Sequence, residues 1–416
     1  MRILILTPQL PYPPRQGTSI RNFNLIRWLA RNHAVDLVTF LAPGDALDPD
    51  SPLHELCGQI HCVRQPARST GDRVRDMITS ATPDMGLRLS SAEMFALVDE
   101  LPLADYDIVQ YEGIEMAPYG LRIRARLDET APRSPHQPRL VFDNHNCEYL
   151  LQQRNALTDL RIPKRWPAAS YSLVQTQKLR RYERRACDAA DLVVAVSEPD
   201  RVALTGLGVK SPLVTVPNGI DVQAYADVSQ RTHVSALLGH SVVFTGKLDY
   251  RPNIDAALWF GAQVFPLIQM SMPDATFLIV GQQPHARLDR LRGNQGIEIT
   301  GAVPEIQPYL SRASVFVIPM RVGGGTRLKA LEAMAAGLPI VSTALGVEGI
   351  DVCDGRELLL RDAPADFAQA VLSLFDDQAR GGVLSRELGR AAREFVARNY
   401  DWSRIVPILE QAYAAI

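Results

Sequence analysis

Val315-Phe316-Val317-Ile318 leads, four residues later, into Gly323-Gly324-Gly325-Thr326-Arg327-Leu328-Lys329-Ala330-Leu331-Glu332-Ala333-Met334-Ala335-Ala336-Gly337. The first four residues are all apolar, which predicts a short buried strand. The residues after the glycines predict a helix that ends at Gly337, with Pro339 just beyond it. A strand, a glycine turn and a helix form the repeating unit of a doubly wound parallel sheet.

The triple-glycine turn has two interpretations. It is either an ordinary tight surface turn, or a loop whose backbone N–H groups converge on a phosphate. Thr326 is predicted to be the N-cap of the helix, and a helix N-terminus favours an anion. Two cations, Arg327 and Lys329, and one carboxylate, Glu332, favour a ligand that carries both phosphate and hydroxyl groups.

The same alternation of short apolar runs and helical patterns extends along the chain. Strands are predicted at 2–7, 34–40, 107–111, 139–143, 191–196, 213–216, 241–246, 275–280, 296–300, 314–318, 339–342 and 357–360. Helices are predicted at 18–32, 253–270, 284–292, 305–311, 326–336, 363–378, 384–398 and 402–416. The sequence therefore predicts an α/β protein with two Rossmann-like doubly wound domains facing a central cleft.

The predicted domains are 1–215 and 241–398, joined by a linker at 216–240. The linker begins at Pro217-Asn218-Gly219-Ile220-Asp221, which interrupts the alternation. The last helix, in 399–416, follows the second sheet and is predicted to cross back to the first domain.

Length, composition and charge limit the kind of protein that the chain can be. At 416 residues, 46 % hydrophobic and 22 % charged, the chain suits a soluble globular protein of two domains. A net charge of -2 argues against nucleic acid as a partner. The five cysteines form no Cys-x-x-Cys pair, and neither a signal segment nor a membrane-spanning run is evident, so a cytoplasmic location is predicted.

Motifs for common cofactors are missing from the sequence. The turn after the first strand lacks Gly-x-Gly-x-x-Gly, and no Gly-x-x-x-x-Gly-Lys-Ser/Thr occurs, which disfavours nicotinamide enzymes and P-loop kinases. The eight histidines are scattered, and the carboxylates Asp143, Glu148 and Asp221 show no ligand spacing. We therefore predict no metal and no cofactor.

Three further features could carry function. Lys247 and Arg251 follow the first strand of the second domain, where they are either ordinary loop cations or groups that bind a diphosphate. His145 follows a strand of the first domain and is either a structural residue or a catalytic one. The stretch 161–185 holds eight cations against Glu183, so it is either a solvated helix face or a surface attracted to anionic lipid.

Three motifs together resemble the GT-B-fold glycosyltransferases of glycosyltransferase family 4, a retaining family that uses nucleotide-diphosphate sugars. They are Pro11-Tyr12-Pro13-Pro14 with Gly17, then Pro217-Asn218-Gly219-Ile220-Asp221, and finally the segment 315–337 with its continuation to Leu338-Pro339. The resemblance covers both domains. It implies that the glycine loop, with Gly324, Gly325 and Thr326, holds the donor diphosphate, that Glu332 binds the donor ribose, and that Gly17 lies near the donor sugar.

The chain departs from the family pattern at two places. Gly324 stands where the family has a glutamate that contacts the transferred sugar. Lys247 replaces the arginine of the family's basic pair, and Pro252 occupies the lysine position beside Arg251. Arg327 and Lys329 are therefore predicted to supply the missing charge at the donor phosphates.

The resemblance implies a hexosyltransferase-type enzyme that moves a sugar, with retention of configuration, to a glycan, lipid-linked or small-molecule acceptor in surface polysaccharide or glycoconjugate synthesis. His145 and Glu332 are the candidate catalytic residues. The nucleotide sugar is a co-substrate, and peripheral contact with an anionic membrane at its inner face is a further expectation. The alternatives are a nucleotide-sugar epimerase on the same fold and a non-catalytic nucleotide-sugar-binding scaffold, which Gly324 favours.

Overall fold

A computed structural model describes residues 1–14, 16–129, 137–160, 163–228, 239–323 and 327–416. The chain forms two compact units. Unit 1 comprises Met1–Asn218 together with Ile405–Ile416, and unit 2 comprises Gly219–Arg404. Each unit contains one parallel sheet with its own hydrophobic core, so the α/β prediction and the predicted pair of sheets are confirmed.

Unit 1 is built on a seven-stranded sheet with the order β3-β2-β1-β4-β5-β6-β7. The strands are β1 Arg2–Thr7, β2 Ala34–Leu41, β3 Ile60–Arg64, β4 Ile108–Glu112, β5 Arg139–Asn144, β6 Leu192–Ala195 and β7 Leu213–Thr215. The central strands are buried on both faces, which explains their unbroken apolar runs. The strand order reverses between β1 and β4, and ligands of such sheets bind beyond the carboxyl ends of the strands at this switch point.

Helices cover both faces of the unit 1 sheet in the usual alternation. They are α1 Gly17–Leu29, α2 Leu53–Leu56, α3 Thr70–Thr79, α4 Asp84–Leu87, α5 Ala92–Glu100, α6 Ala117–Glu129, α7 Glu148–Leu160, α8 Trp166–Asp188 and α9 Glu198–Gly206. Strand β3 was not among the predicted elements. It lies at the sheet edge and is only partly buried, so it lacks the apolar run that marks the inner strands.

Unit 2 repeats the plan with a six-stranded parallel sheet of order β10-β9-β8-β11-β12-β13. Its strands are β8 Ser241–Thr245, β9 Thr276–Val280, β10 Ile297–Gly301, β11 Val315–Ile318, β12 Ile340–Ser342 and β13 Leu359–Leu360. The switch point lies between β8 and β11. The segment that follows β8 and the glycine loop that follows β11 therefore lie at the same edge of one sheet.

The remaining helices are α10 Arg251–Trp259, α11 Phe265–Ser271, α12 Gln307–Leu310, α13 Leu328–Ala335, α14 Pro364–Ala379, α15 Val383–Asn399 and α16 Trp402–Ala414. The predicted helix at 253–270 is divided by a π-helical turn, Phe260–Val264. The predicted helix at 284–292 is instead a short 3-10 helix, Ala286–Arg290. No helix in the described ranges is both long and apolar enough to cross a bilayer.

The predicted start of α13 needs correction. Its first helical residue is Leu328 and its N-cap position is occupied by Arg327, so the helix begins later than the predicted 326. The other end agrees with the sequence, since Gly337 follows the last helical turn with a φ of 67°. Gly324, Gly325 and Thr326 lie outside the described residues.

Candidate donor and catalytic sites

The side chain of Lys329 lies beside the carboxyl end of β8. Its Nζ donates to Oδ1 of Asn253 at 2.7 Å and sits 4.2 Å from the centre of the Phe244 ring. A Cβ added to Gly246 would approach Nζ to 3.0 Å, so glycine at this position leaves the ammonium its space. Burial lowers the pKa of Lys329 to about 7, and the nearby charge of Arg327 acts in the same direction.

Glu332 is one turn further along α13 and is half-buried. Burial raises its pKa to about 7, against the influence of the Lys329 ammonium. Among the described residues, no group donates a hydrogen bond to the Glu332 carboxylate. A half-buried carboxylate that receives no hydrogen bond from the described residues is suited to accept hydrogen bonds from a hydroxylated ligand.

Arg327 differs from Lys329. The Arg327 side chain is 5 % exposed, its Nε donates to the Leu345 carbonyl at 3.2 Å, and one guanidinium nitrogen is 3.9 Å from Glu348. These contacts of Arg327 are with the segment 345–348, whereas Lys329 lies beside Asn253 and the β8 segment.

The other predicted donor residues of unit 2 lie around this position. Lys247 follows β8 and pairs loosely with Asp249 at 3.4 Å, while Arg251 is the first residue of α10. Gly323 has a φ of 108°, and a Cβ on it would meet Pro252 at 3.0 Å. The start of the glycine loop thus packs on the start of α10.

In unit 1, His145 follows the carboxyl end of β5. Its Nε2 is 2.6 Å from Oε2 of Glu112, the last residue of the neighbouring strand β4. Burial lowers the pKa of His145, but the hydrogen bond to Glu112 and the charges of Glu112 and Asp143 outweigh it, so the net shift is upward. Gly17, the first residue of α1, is exposed.

Asp143 forms a buried ion pair with Arg21. The Arg21 guanidinium donates through two nitrogens to Oδ2 of Asp143, at 2.7 and 3.0 Å, and both side chains are almost fully buried. It also donates to the Pro217 carbonyl and to Oδ1 of Asn218. Arg21 therefore links the β5 terminus to the first residues of the Pro217-Asn218-Gly219 motif.

Glu112, Asp143 and His145 each offer an atom within 4.8 Å of the others, the spacing of a metal site. However, Glu112 is bonded to His145 and Asp143 is neutralised by Arg21. We interpret them as two neighbouring pairs, a hydrogen bond between Glu112 and His145 and an ion pair between Asp143 and Arg21. Glu112 and Arg21 were not predicted as site residues, although a carboxylate at the end of a strand next to β5 was a usable signal.

The two parallel sheets, each with candidate site residues at its switch point, are those of the GT-B type of protein. The chain matches sucrose-phosphate synthase from Thermosynechococcus elongatus with a TM-score of 0.68 and 18 % identity over 100 % of this chain and 99 % of that one. It matches Anabaena HepE, crystallised with UDP and glucose, with a TM-score of 0.65 and 13 % identity over 99 % of each chain.

Residues 15–224 match the model of Glycosyltransferase Family 4, and residues 239–377 match that of Glycosyl transferases group 1. The chain belongs to glycosyltransferase family 4, as its motifs predicted. A curated relative, phosphatidyl-myo-inositol mannosyltransferase of Mycolicibacterium smegmatis, is 29 % identical over 231 residues, which are 54 % of this chain and 57 % of that protein. The chain spans about half the length of the curated relatives it matches.

Proposed function

We propose that the protein transfers a sugar from a nucleotide-diphosphate donor to an acceptor, with unit 2 binding the donor. The observation that carries the proposal is the pair Lys329 and Glu332 on one face of α13, next to the β8 segment. The ammonium suits the diphosphate and the carboxylate suits the ribose hydroxyls. HepE, which shares the fold, was crystallised with UDP and glucose.

Departure of a nucleoside diphosphate leaves negative charge at the phosphates. A lysine whose pKa is near 7 in a half-buried position can be held in its charged form by that diphosphate, so the interaction strengthens as the leaving group departs. Lys329 is thus proposed to replace the lysine that the family pattern has at Pro252. Lys247, Arg251, Arg327 and the residues Gly324, Gly325 and Thr326 remain proposed donor contacts.

His145 is the proposed catalytic residue of unit 1, and Gly17 is proposed to lie near the donor sugar. We propose retention of configuration because the family that the chain resembles is a retaining one. Glu112 and Asp143, the carboxylates at this end of the sheet, are already bonded to His145 and Arg21. Neither is placed to act as a covalent nucleophile, which leaves attack by the acceptor on the same face of the sugar.

The binding test uses thermal unfolding with uridine, guanosine and adenosine diphosphates, and then with their hexose derivatives. A specific ligand raises the apparent stability in proportion to ln(1 + [L]/Kd). Glu332→Gln should weaken the stabilising nucleotide about 10- to 100-fold, since hydrogen bonds to charged groups contribute about 1.5–3 kcal/mol. Glu387→Gln, on the exposed face of α15, is the matched control.

Turnover is measured as release of nucleoside diphosphate with and without acceptor, and the anomeric proton of the product reports the configuration. Release that depends on an acceptor supports transfer. Interconversion of the sugar without release identifies an epimerase, and tight binding with neither reaction identifies a scaffold.

We further propose an acceptor at an anionic membrane surface, consistent with a role in surface polysaccharide or glycoconjugate synthesis in the cytoplasm. At the corner between α7 and α8, the side chains of Leu157, Leu160 and Trp166 are 53 %, 43 % and 57 % exposed. The Trp166 indole donates to the Leu160 carbonyl, which holds the two together beside exposed Lys164. An exposed tryptophan with leucines and a cation is typical of peripheral membrane contacts.

Membrane contact by the exposed side chains around Trp166 is tested by sedimentation of the protein with vesicles of phosphatidylcholine, with and without phosphatidylglycerol. Trp166→Ser should reduce binding to the anionic vesicles, whereas Met270→Ser, which removes an 82 % exposed apolar side chain in unit 2, should not. Added salt should weaken the interaction. Equal loss with both variants, or no binding at any composition, would remove this part of the proposal.

A further inference from the structure

The buried side chains around His145 form a chain of hydrogen bonds that reaches the C-terminal helix. The Tyr413 hydroxyl, on α16, is bonded to Oε1 of Gln110. Nε2 of Gln110 donates to Oε1 of Glu112 at 2.5 Å, and Oε2 of Glu112 is 2.6 Å from Nε2 of His145. All four residues belong to unit 1, although Tyr413 and Gln110 are 303 positions apart.

The direction of each hydrogen bond in this chain is fixed by the charge of Glu112. An ionised carboxylate only accepts, so it receives one proton from the Gln110 amide and another from Nε2 of His145. The Gln110 carbonyl oxygen then points to α16 and accepts from the Tyr413 hydroxyl. The imidazole is consequently held with its proton on Nε2, and Nδ1 is its second, titratable nitrogen.

No described residue forms a hydrogen bond with Nδ1 of His145. Gly113 lies beside this nitrogen, since a Cβ on it would be 3.5 Å from Nδ1 and 3.4 Å from Oε2 of Glu115. The side chain of His145 is 12 % exposed, whereas that of Glu112 is fully buried. Within this series of hydrogen-bonded side chains, Nδ1 of His145 is therefore the atom that a substrate can reach.

We propose that Glu112 is the positioning residue for His145, and that α16 takes part in the site by holding Glu112 through Gln110 and Tyr413. The inference rests on the proposed catalytic role of His145, which it deepens. In this arrangement Nδ1 either accepts a hydrogen bond from a sugar or acceptor hydroxyl or, when protonated, donates one. The C-terminal helix thereby acts on a residue that follows β5.

The charged groups that surround the imidazole come from four elements. They are Glu112 at the end of β4, Glu115 in the loop after it, Asp143 at the end of β5 and Arg21 on α1, while Glu410 lies on α16 near Tyr413. Glu410 is paired with His33 at 2.9 Å. Of these groups only Glu112 bonds the ring, so its replacement should have the largest effect on the titration of His145.

The test is the titration of His145 by NMR in protein labelled with ¹⁵N-histidine, assigned with His145→Gln. In the parent protein the neutral ring should carry its proton on Nε2. Glu112→Gln should lower the pKa of His145 by about one unit or more, because a negative charge in contact with the ring is lost. Tyr413→Phe should lower the pKa of His145 by a smaller amount. Glu112→Asp, which keeps a carboxylate, should give a pKa of His145 between those of Glu112→Gln and the parent protein.

Tyr111→Phe is the matched control. The Tyr111 hydroxyl is buried in the same unit but donates to the Ala186 carbonyl at 2.9 Å, away from His145. Both tyrosine variants remove one buried hydroxyl and should lose similar stability, but only Tyr413→Phe should change the titration. If Tyr111→Phe and Tyr413→Phe have the same effect on the pKa of His145, or if the neutral ring of the parent protein carries its proton on Nδ1, the inference is overturned.

The kinetic arm separates this inference from the proposed function. Glu112→Gln should lower kcat at least about tenfold and move the pH profile to lower pH, with little change in the KM for the donor. If the NMR shifts appear but His145→Gln keeps full activity, the positioning by Glu112 and α16 stands and the catalytic role of His145 fails. Should Glu112→Gln not fold, Tyr413→Phe carries the same comparison.

Discussion

Replacing Lys329 with methionine should weaken donor binding and at the same time stabilise the protein. Methionine keeps the length of the side chain and its contact with Phe244, but removes the ammonium. Of the three N–H donors of Nζ, one goes to Asn253 at 2.7 Å, and the Met320 sulfur at 4.0 Å is only a weak acceptor. Donors therefore remain for a phosphate oxygen, and losing that contact should raise the donor Kd about 10- to 100-fold.

Although Lys329→Met should weaken donor binding, it should raise the free energy of unfolding. Burial lowers the pKa of Lys329 from 10.5 to about 7, so the folded state disfavours the charged form. At about 1.4 kcal/mol per unit the shift corresponds to at most about 5 kcal/mol, and because the side chain is partly exposed we expect about 1–3 kcal/mol. The penalty is fully present below pH 7 and disappears as the pH rises from 7 towards 10.5.

The gain in stability of Lys329→Met should thus be largest near pH 6 and vanish near pH 10. Urea unfolding at several pH values measures it, and calorimetric titration with nucleoside diphosphate measures the affinity. Arg312→Met is the control, because Arg312 is an exposed cation that precedes the opposite end of β11. Reduced stability at pH 6, or an affinity equal to that of the control, would refute the role assigned to Lys329.

Three further variants test how glycines and buried carboxylates support the two sites. Gly246→Ala should weaken donor binding as Lys329→Met does, because its Cβ would come within 2.7 Å of Nδ2 of Asn253 and 3.0 Å of Nζ of Lys329 and would shift this hydrogen-bonded pair; calorimetric titration measures this. Gly219→Ala should destabilise unit 2 by about 1–3 kcal/mol in urea, because its Cβ would come within 2.5 Å of the buried Trp402 ring. Glu183→Ala should cost about 3–5 kcal/mol in urea, since it leaves three donors near the start of α7 without their acceptor, and the loss should spare donor affinity.

The controls for these variants come from the same chain. Gly206→Ala would place a Cβ in open space, and Gly206 lies in a helix without positive φ, so Gly206→Ala should not destabilise. If Gly219→Ala is as harmless as Gly206→Ala, the contact with Trp402 does not explain the glycine of the Pro217-Asn218-Gly219 motif.

The sequence predicted the sheets well because their inner strands are buried on both faces. A run such as Val315–Ile318 has to be continuously apolar in that position, and the glycine loop and α13 follow from local rules. Strand β3 was missed because a partly buried edge strand, Ile60–Arg64, need not be apolar. The division of the helix around Phe260–Val264 was missed because a π-helical turn changes the hydrogen bonding without a distinct local composition.

Local sequence patterns likewise indicated some residues of the candidate sites and missed others. Glu332 and Lys247 could be proposed as site residues because each stands at a fixed offset from a recognisable strand or turn. The partners that define the sites are distant in the chain: Asn253 is 76 positions from Lys329, and Tyr413 is 303 from Gln110. A single sequence carries no signal for such pairs, because any of several strand ends could supply the partner.

The two units treat their charged groups differently, which bears on what each unit does. In unit 1 the carboxylates at the switch point are paired within the protein, Asp143 by an ion pair with Arg21 and Glu112 by a hydrogen bond with His145, so the geometry is fixed before any ligand arrives. In unit 2, burial holds the pKa of both Lys329 and Glu332 near 7, and the Glu332 carboxylate accepts no hydrogen bond from the described residues. A ligand with phosphate and hydroxyl groups would stabilise both charged forms at once. On donor binding, Lys329 would take up a proton and Glu332 would release one, so near pH 7 the net exchange of protons with the buffer should be small in the parent protein. In Glu332→Gln only the uptake by Lys329 remains, and the measured binding enthalpy of that variant should depend on the ionisation enthalpy of the buffer.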